Sequence, residues 1–365
     1  MALLVIVYSN RSIFAELKNK SLVLIPDIWL TVAGGKFAEN KKMEDFKYFD
    51  GQHCETTATG TLLRQLGIEL SEPMLFGLGE GLSFIFWHMK TMDFPFLGGR
   101  VKTDLLTENI ARNLNLELKV KETASVKKAW EEVKALLDAG TVVGLKLDCY
   151  HLEYFSHPFH FAGHYAAIYG YDEQQAYLVD TRQQGGKVQT SLESLALARA
   201  EKGPMSSRNL YYTLQLGENY DLATVVPAAI RNNAKAYLNP PIQNIAYKGI
   251  LKTATAIRDW FNTSKNITQE FAAAANIMER AGTGGALFRN LYRDFLKESY
   301  ALLQLDVIKA GYEAFVEIAA LWTKVSDLFM KVSATRDRRY LEEASAILKD
   351  LSAKEKQAME RLAEL

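Results

Sequence analysis

Cys54 is the residue of this chain whose type and position best fit covalent chemistry. It follows the Asp50-Gly51 turn and opens a segment with one apolar helical face, before Gly67 supplies a stop signal. The apolar residues of that face are Ala58, Leu62, Leu63 and Leu66. A thiol attacks as the thiolate, and the unpaired amides at a helix N-terminus favour negative charge. The sequence therefore predicts that Cys54 is a nucleophile; the alternative is a small buried apolar side chain.

His164 has the position of a general base for such a thiol. It begins the segment His-Tyr-Ala-Ala-Ile-Tyr-Gly-Tyr, which is followed by a polar turn at 172–175 and a second apolar segment reaching Asp180. This pattern predicts a β-hairpin, which can hold a base and the carboxylate that orients it on adjacent strands. A two-residue turn leaves Asp180 about three positions out of register with His164, so a β-bulge or strong coiling is required. The alternative for Asp180 is a solvated residue at a strand end.

The elements that must position these residues change character along the chain. Residues 43–216 alternate between helical and strand patterns, with a second helix expected from the Ser125 cap to Gly140. A strand is expected over 141–149, and it would place Cys149 in the core. Beyond Tyr220 only helical patterns follow. Since 365 residues usually exceed one core, we predict an α+β catalytic domain over 43–216 and an all-helical domain over 217–365.

The two ends of the chain lead to separate expectations. Residues 1–42 show no sustained helical or strand period, and we expect them to be an N-terminal extension or an over-called start. The stretch 312–365 has the composition of a docking hairpin or of a contact between copies in a homo-oligomer.

Composition and the first residues limit which cellular compartments and binding partners we expect. Lys plus Arg and Asp plus Glu both number 43, so no concentrated basic surface for nucleic acid is expected. The apolar stretch 22–33 is broken by Pro26 and Asp27 and is too short to span a membrane. Residues 1–8 lack the cationic start and the cleavage site of a secretory signal. We therefore expect a cytoplasmic protein without nucleic-acid or membrane partners.

Four motifs resemble a known domain pair. Gln-His-Cys-Glu-Thr-Thr-Ala at 52–58, Leu-Ser-Glu-Pro-Met-Leu-Phe-Gly-Leu-Gly-Glu-Gly-Leu at 70–82 and His-Phe-Ala-Gly-His at 160–164 resemble the N-terminal domain of the butirosin-biosynthesis acyltransferase H family. Met-Glu-Arg-Ala-Gly-Thr-Gly-Gly-Ala-Leu-Phe-Arg at 278–289 resembles the helical domain of unknown function that commonly follows it. The order of cysteine, strand-borne histidine and aspartate also resembles papain-like cysteine peptidases of the bacteriocin-processing type.

The resemblance implies a papain-like cysteine fold with Cys54, His164 and Asp180 as the catalytic triad. Cys54 would take an acyl group from the thioester of an acyl carrier protein or of coenzyme A and pass it to a small amine acceptor, in secondary-metabolite biosynthesis. The phosphopantetheine-linked acyl donor would be a substrate, and no cofactor would be bound permanently. A papain-like peptidase, amidase or thioesterase using the same site is the alternative, and a binding module with a vestigial site is the third hypothesis.

Further residues become candidates through the resemblance. Papain-like enzymes complete the oxyanion hole with a glutamine before the cysteine, so Gln52 is the candidate donor, with a surface turn residue as the alternative. His160 lies in a shared motif and is a candidate for substrate binding. Although His157, His160 and His164 could approach one another, neither a second cysteine nor a compact carboxylate set accompanies them, and we predict no metal site.

The glycine-rich segment before Arg289 is the candidate for binding an anion. Gly282, Gly284 and Gly285 precede a predicted helix, and helix-start amides together with an arginine suit a phosphate. This segment is therefore a candidate holder of the phosphopantetheine arm. The alternative is an ordinary turn between helices.

Overall fold

A computed structural model describes residues 41–42, 46–89, 92–203 and 205–365. In these residues the helices are α1 (Cys54–Gln65), α2 (Glu72–Leu78), α3 (Leu105–Asn113), α4 (Val126–Asp138), α5 (Leu192–Ala200), α6 (Leu222–Leu238), α7 (Ala246–Thr263), α8 (Ile267–Glu279), α9 (Arg289–Leu303), α10 (Asp306–Thr335) and α11 (Arg338–Leu362). The strands are β1 (Lys41–Lys42), β2 (Leu82–Trp87), β3 (Phe96–Arg100), β4 (Leu116–Lys121), β5 (Val143–Leu147), β6 (His164–Tyr171), β7 (Gln175–Val179), β8 (Lys187–Ser191) and β9 (Tyr211–Leu216). Apart from β1, the prediction for residues 1–42 lies outside the described residues.

The strands form two antiparallel sheets. The larger has the order β4-β9-β5-β6-β7-β8, with β1 paired to β6, and β2 pairs with β3 in the smaller. After β9 the described chain is built from helices α6 to α11. The predicted α+β class and the helical C-terminal region are thus confirmed for the described residues.

Strand β6 is the centre of the larger sheet and contributes to two cores. Tyr165 and Ala167 pack into the core that contains α1, whereas Ala166 and Ile168 pack into the core formed with α4 and α5. Because successive side chains of a strand point to opposite faces, a strand covered on both sides becomes apolar throughout. This explains why all residues of β6 are buried.

Helix α1 begins and ends where the local signals predict. Its first residue is Cys54, and Gly67 just beyond its end has a φ of +77°, a conformation that glycine adopts without steric cost. Its residues from Cys54 to Leu63 are buried, so the helix is enclosed rather than amphipathic. Helix α1 packs against β6 and thereby brings Cys54 toward the strand that carries His164.

Two further predictions of local structure can be compared with the fold. Helix α4 is capped by Ser125, whose side chain accepts from the Lys128 amide, and Gly140 follows the helix with a φ of +79°. Strand β5 ends before Cys149, which begins a short 3-10 turn instead of ending the strand as predicted. The reason is local, since the Asp148 carboxylate accepts from the Tyr150 amide at 2.8 Å and closes the turn.

The C-terminal helices pack on one another and on the smaller sheet. Helix α10 contacts α8, α9 and α11, and α11 also contacts α6 and α7. Strand β2 packs against α7, and β3 packs against α8. The described residues from Lys41 to Leu365 belong to one compact unit. In the described part of the chain, no helix combines the length and the apolar character needed to cross a membrane.

Candidate active site

Cys54 occupies the first position of helix α1. The residue is 9% exposed, and it is one of two free cysteines among the described residues. The first amides of a helix have no carbonyl partner within that helix. The amide of Cys54 is therefore placed to donate to an oxyanion that forms on a carbonyl bound at its sulfur.

A carboxylate that the sequence reasoning missed holds the turn before this helix. Glu72 accepts from the amide of Gln52 at 2.9 Å, from the amide of His53 at 2.8 Å and from the hydroxyl of Thr56 at 2.8 Å. Glu72 is the first residue of α2, and Ser71 caps that helix. The Ser-Glu-Pro sequence predicts the start of a helix, but nothing local indicates that its carboxylate reaches residues preceding Cys54.

Gln52 is exposed, and its backbone is held by Glu72. The second oxyanion donor that the papain-like comparison assigns to Gln52 stays a prediction.

His164 and Asp180 form a buried pair. Nε2 of His164 lies 2.7 Å from Oδ2 of Asp180, and the two residues are 6% and 0% exposed. The pairing of Ala167 with Val179 and the register shift between Ile168 and Gly170 show that β6 contains the irregularity that the sequence argument required. By this register Asp180 is a diagonal neighbour of His164 on the same face of the sheet.

Asp180 also accepts hydrogen bonds from two other donors. Tyr154 Oη donates to the same Oδ2 at 2.7 Å, and the amide of Thr181 donates to Oδ1 at 2.6 Å. Burial, and then the charge of Asp180, raise the pKa of Tyr154 well above its ordinary value, so the phenol keeps its proton. The sequence reasoning missed Tyr154, because it lies in the loop between β5 and β6 without a motif to mark it.

The electrostatics of the pair favour a protonated imidazole. Burial alone would lower the pKa of His164, but the charges of Asp180 and Cys149 and the hydrogen bonds to both raise it well above 6.5. His53 behaves in the opposite way, because burial, the charge of Arg100 and the charge of His164 lower its pKa well below 6.5. Two neighbouring histidines thus differ in charge, and His164 is the one suited to pair with a thiolate.

Cys149 lies beside His164, although the sequence analysis expected only a core residue. It is 1% exposed and close enough to the imidazole for each group to shift the pKa of the other. Burial raises the pKa of the Cys149 thiol, the charge and hydrogen bond of His164 oppose this rise, and the charge of Cys54 adds to it. Since Nε2 of His164 is engaged by Asp180, Nδ1 is the nitrogen left for a thiol.

A buried carboxylate, that of Glu55, also anchors the start of this helix. Glu55, which follows Cys54, is 0% exposed and accepts from Arg100 Nη1 at 3.0 Å. It also accepts from the amide and the hydroxyl of Thr107, both at 3.1 Å. Burial raises the pKa of Glu55, and the charge of Arg100 opposes that rise. The start of α1 is therefore held by both Glu72 and Glu55.

His160 lies in the loop before β6. Its side chain is 61% exposed, its ring stacks on Tyr150 with centroids 4.1 Å apart, and its Nδ1 lies 3.5 Å from Oδ1 of Asp148. Its assignment to substrate binding stays a prediction. Among the residues that the structure describes, no group of three or more His, Cys, Asp or Glu side chains is arranged to hold a metal ion.

Arg289 does not have the environment of an anion ligand. It is 0% exposed and donates to Glu355 at 2.9 and 2.8 Å, to the carbonyl of Leu287 at 2.8 Å and to that of Gly99 at 3.3 Å. A guanidinium enclosed in this way offers no face to a phosphate, so the predicted anion-binding role for Arg289 does not fit the structure. The reason is a distant buried carboxylate, which the local sequence does not reveal.

The glycines before Arg289 form a backbone turn at the edge of the site. Gly282, Gly284 and Gly285 have φ angles of 71°, 68° and 82°. A Cβ atom at Gly282 would lie 3.2 Å from the carbonyl oxygen of Gln52. The segment thus approaches the residues that precede Cys54, and its assignment to a phosphopantetheine arm stays a prediction.

Two family models match this chain. Residues 53–181 match the family described as Butirosin biosynthesis protein H, N-terminal, and residues 193–362 match the domain of unknown function DUF4872. No curated protein matches the chain at a significant level. The first match contains Cys54, His164 and Asp180, while the second includes β9 as well as the C-terminal helices. The first match implies an enzyme of biosynthesis with an acyltransferase-like function.

Proposed function

We propose that this chain, which carries a butirosin biosynthesis protein H N-terminal domain followed by a DUF4872 domain, is a cysteine acyltransferase with a papain-like site. Cys54 is the nucleophile, His164 moves the proton and Asp180 orients His164. The acyl donor is a thioester of a carrier protein or of coenzyme A, and the acceptor is a small amine. Because both donors are intracellular, we place the reaction in the cytoplasm.

One observation carries this proposal. His164 begins β6, the strand against which the helix beginning at Cys54 packs, and it forms a buried pair at 2.7 Å with Asp180, which directly follows β7. Asp180 and Cys149 raise the pKa of His164, which favours the imidazolium; in the proposed reaction this cation stabilises the thiolate. Helix-borne cysteine, strand-borne histidine and an aspartate on the next strand are the three parts that a cysteine acyl-transfer site needs.

The reaction proceeds in two balanced steps. The Cys54 thiolate attacks the thioester carbonyl, the carbonyl oxygen becomes an oxyanion next to the Cys54 amide, and the donor thiol leaves with the proton of His164. The amine then attacks acyl-Cys54, His164 takes the proton of the amine, and the amide leaves while the Cys54 thiolate is restored. Both steps form one bond to the acyl carbon and break one.

Two features support Cys54 rather than Cys149 as the nucleophile. Cys54 begins a long helix, where backbone amides favour negative charge. Cys149 is nearly inaccessible, at 1% exposure, and burial raises the pKa of its thiol. A substrate carbonyl reaches the helix N-terminus more easily than the enclosed Cys149 sulfur.

The test is intact-mass spectrometry after incubation with short-chain acyl-coenzyme A and with an acyl carrier protein charged with the same acyl groups. We expect an acyl adduct on the native chain and on Cys149→Ala, and none on Cys54→Ala. Adduct loss only in Cys149→Ala would transfer the nucleophile role to Cys149. Adding amines should release an amide; release of the free acid alone would identify a hydrolase, and absence of any adduct would contradict the proposal.

A further inference from the structure

We propose that a left-handed turn in the DUF4872 domain positions the start of the catalytic helix and thereby sets the reactivity of Cys54. The turn comprises residues 282–288. The inference rests on the proposed function only in taking Cys54 as the reacting thiol. It assigns a positioning role to a part of the domain whose function its family description leaves open.

The backbone of this turn is unusual. The φ angles of residues 284–288 are all positive, at 68°, 82°, 48°, 48° and 74°. Three of these residues, Ala286, Leu287 and Phe288, carry side chains that disfavour such angles. All three are buried, and such conformations persist only where the surroundings hold them in place.

One side of the turn rests on the residues that precede Cys54. A Cβ atom at Gly282 would lie 3.2 Å from the Gln52 carbonyl oxygen and 3.9 Å from the His53 Cα atom. The Phe288 ring meets the His53 ring edge to face, with centroids 5.1 Å apart, and stacks on Phe76 of α2 at 5.4 Å. The backbone and the aromatic ring of the turn therefore contact the same two-residue segment.

His53 in turn binds the first turn of α1. Its carbonyl accepts from the Thr57 amide at 2.9 Å and from the hydroxyls of Thr56 and Thr57 at 3.0 and 2.7 Å. Its Nδ1 caps the helix by accepting from the Thr56 amide at 3.4 Å. A shift of His53 would therefore move the amide and the sulfur of Cys54.

The other side of the turn is anchored in the helical region. Asn290 Nδ2 donates to the Gly284 carbonyl at 3.0 Å, and Glu279 Oε1 accepts from the Ala286 amide at 3.2 Å. Arg289 donates to the Leu287 carbonyl at 2.8 Å while it is held by Glu355. The buried arginine thus fixes the end of the turn, and the turn is a rigid support for His53.

Gly282→Ala and Gly140→Ala form a matched pair that tests this inference. The two glycines have nearly equal φ angles, 71° and 79°, so alanine introduces similar backbone strain at each. A Cβ atom at Gly140 meets nothing within 4 Å, whereas one at Gly282 is crowded by the Gln52 carbonyl oxygen at 3.2 Å and touches the His53 Cα atom at 3.9 Å. Only Gly282→Ala therefore reaches the residues that precede the catalytic helix.

The measurement is the rate of iodoacetamide alkylation of Cys54, located by peptide mass spectrometry, from pH 5 to 9, together with the unfolding temperature. We expect similar decreases in unfolding temperature for both variants, but an alkylation rate near pH 7 lowered about 3- to 10-fold only in Gly282→Ala. Phe288→Leu, which keeps an apolar side chain but removes the ring on His53, should lower it in the same direction. Equal alkylation rates in Gly140→Ala, Gly282→Ala and Phe288→Leu would overturn the inference.

Alkylation needs no acyl donor, so this test is independent of the acyltransferase proposal. A chain without acyl-thioester adduct whose Cys54 alkylation responds to Gly282→Ala would refute the proposed function and retain the positioning role. If instead the chain forms the adduct and Gly282→Ala and Phe288→Leu leave the alkylation rate unchanged, the positioning role is refuted and the proposed function is retained.

Discussion

Each of the two family-matched parts contains a buried ion pair, His164–Asp180 in the first and Arg289–Glu355 in the second, and the two pairs are built differently. Both carboxylate oxygens of Glu355 are engaged, by Arg289 and by the side chains of Trp322 and Tyr237. Asp180 is also fully engaged, but its partner His164 has a second ring nitrogen, and two cysteines lie nearby. Both oxygens of Glu355 therefore bind protein groups, whereas Nδ1 of His164 is not used by Asp180 and can exchange a proton.

The difference shows that burial of charge does not by itself mark an active site. A buried ion pair stabilises little compared with apolar packing, yet removal of one partner is costly because the remaining charge is unpaired. Arg289 and Glu355 are both 0% exposed and hold elements that are distant in sequence. His164 and Asp180 are equally tight, but the groups around them change the pKa of a proton donor. Substitutions can distinguish a buried pair that stabilises the fold from one that tunes a catalytic proton donor.

The largest effect is expected for Asp180→Asn. Loss of the carboxylate removes the group that orients His164 and stabilises its imidazolium, so acylation of Cys54 should fall about 10²- to 10⁴-fold. Single-turnover acylation followed by intact mass measures this rate. Asp138→Asn is the control, because Asp138 accepts from Tyr171 at 2.6 Å and not from His164. A rate within tenfold of the native chain would rule out Asp180 as the orienting residue.

A large loss of stability, rather than of activity, is expected for Glu355→Gln. The change leaves the buried Arg289 guanidinium without a counter-charge, so the free energy of unfolding should decrease by about 3–5 kcal/mol. Urea denaturation followed by circular dichroism measures it. Glu342→Gln is the matched control, because Glu342 pairs with Arg258 at the surface and should change stability little. Similar losses in both variants would contradict the structural role of the Arg289–Glu355 pair.

The pH dependence of stability should distinguish the site from the Arg289–Glu355 pair. The folded-state pKa of His164 is raised above 6.5, so the stabilisation by Asp180 is complete below about pH 6.5 and is lost as pH rises through the raised pKa. The difference in unfolding free energy between native protein and Asp180→Asn should therefore shrink from pH 6 to pH 10. Urea titrations at several pH values measure it, and a difference that grows with pH would reverse the assigned charge of His164.

The smallest effect is expected for Tyr154→Phe. The Tyr154 hydroxyl and His164 both bind Oδ2 of Asp180. Without the hydroxyl, the carboxylate interacts more strongly with His164, so the pKa of the imidazole should rise. The alkaline limit of kcat/KM should move to higher pH, while its maximum falls about 3- to 10-fold through loss of one charged hydrogen bond.

Tyr171→Phe serves as the control for Tyr154→Phe, since it also removes a tyrosine–aspartate hydrogen bond, at 2.6 Å to Asp138. It should leave the pH profile unchanged. Identical profiles for the two variants would exclude a role of Tyr154 in tuning His164.

Local signals in the sequence were sufficient for several elements. The start of α1 at Cys54, its end before Gly67 and the Ser125 cap of α4 agree with the predictions. The hairpin of β6 and β7 and its irregular register were also expected. Each of these elements is determined by residues close together in sequence, through helix capping, positive φ angles or the alternation of apolar residues.

Tertiary structure alone decided what surrounds the candidate catalytic residues. The sequence did not reveal that Glu72 holds the turn before Cys54, that Cys149 and Tyr154 stand beside His164 and Asp180, or that Arg289 is closed off by Glu355. These contacts join residues far apart in the chain, and hydrogen bonding between buried charges depends on distances that only packing sets. The sequence by itself determined the fold class, the local elements and the residue types able to react; the environment that makes a thiol, an imidazole or a guanidinium reactive or inert came from the packing of distant segments.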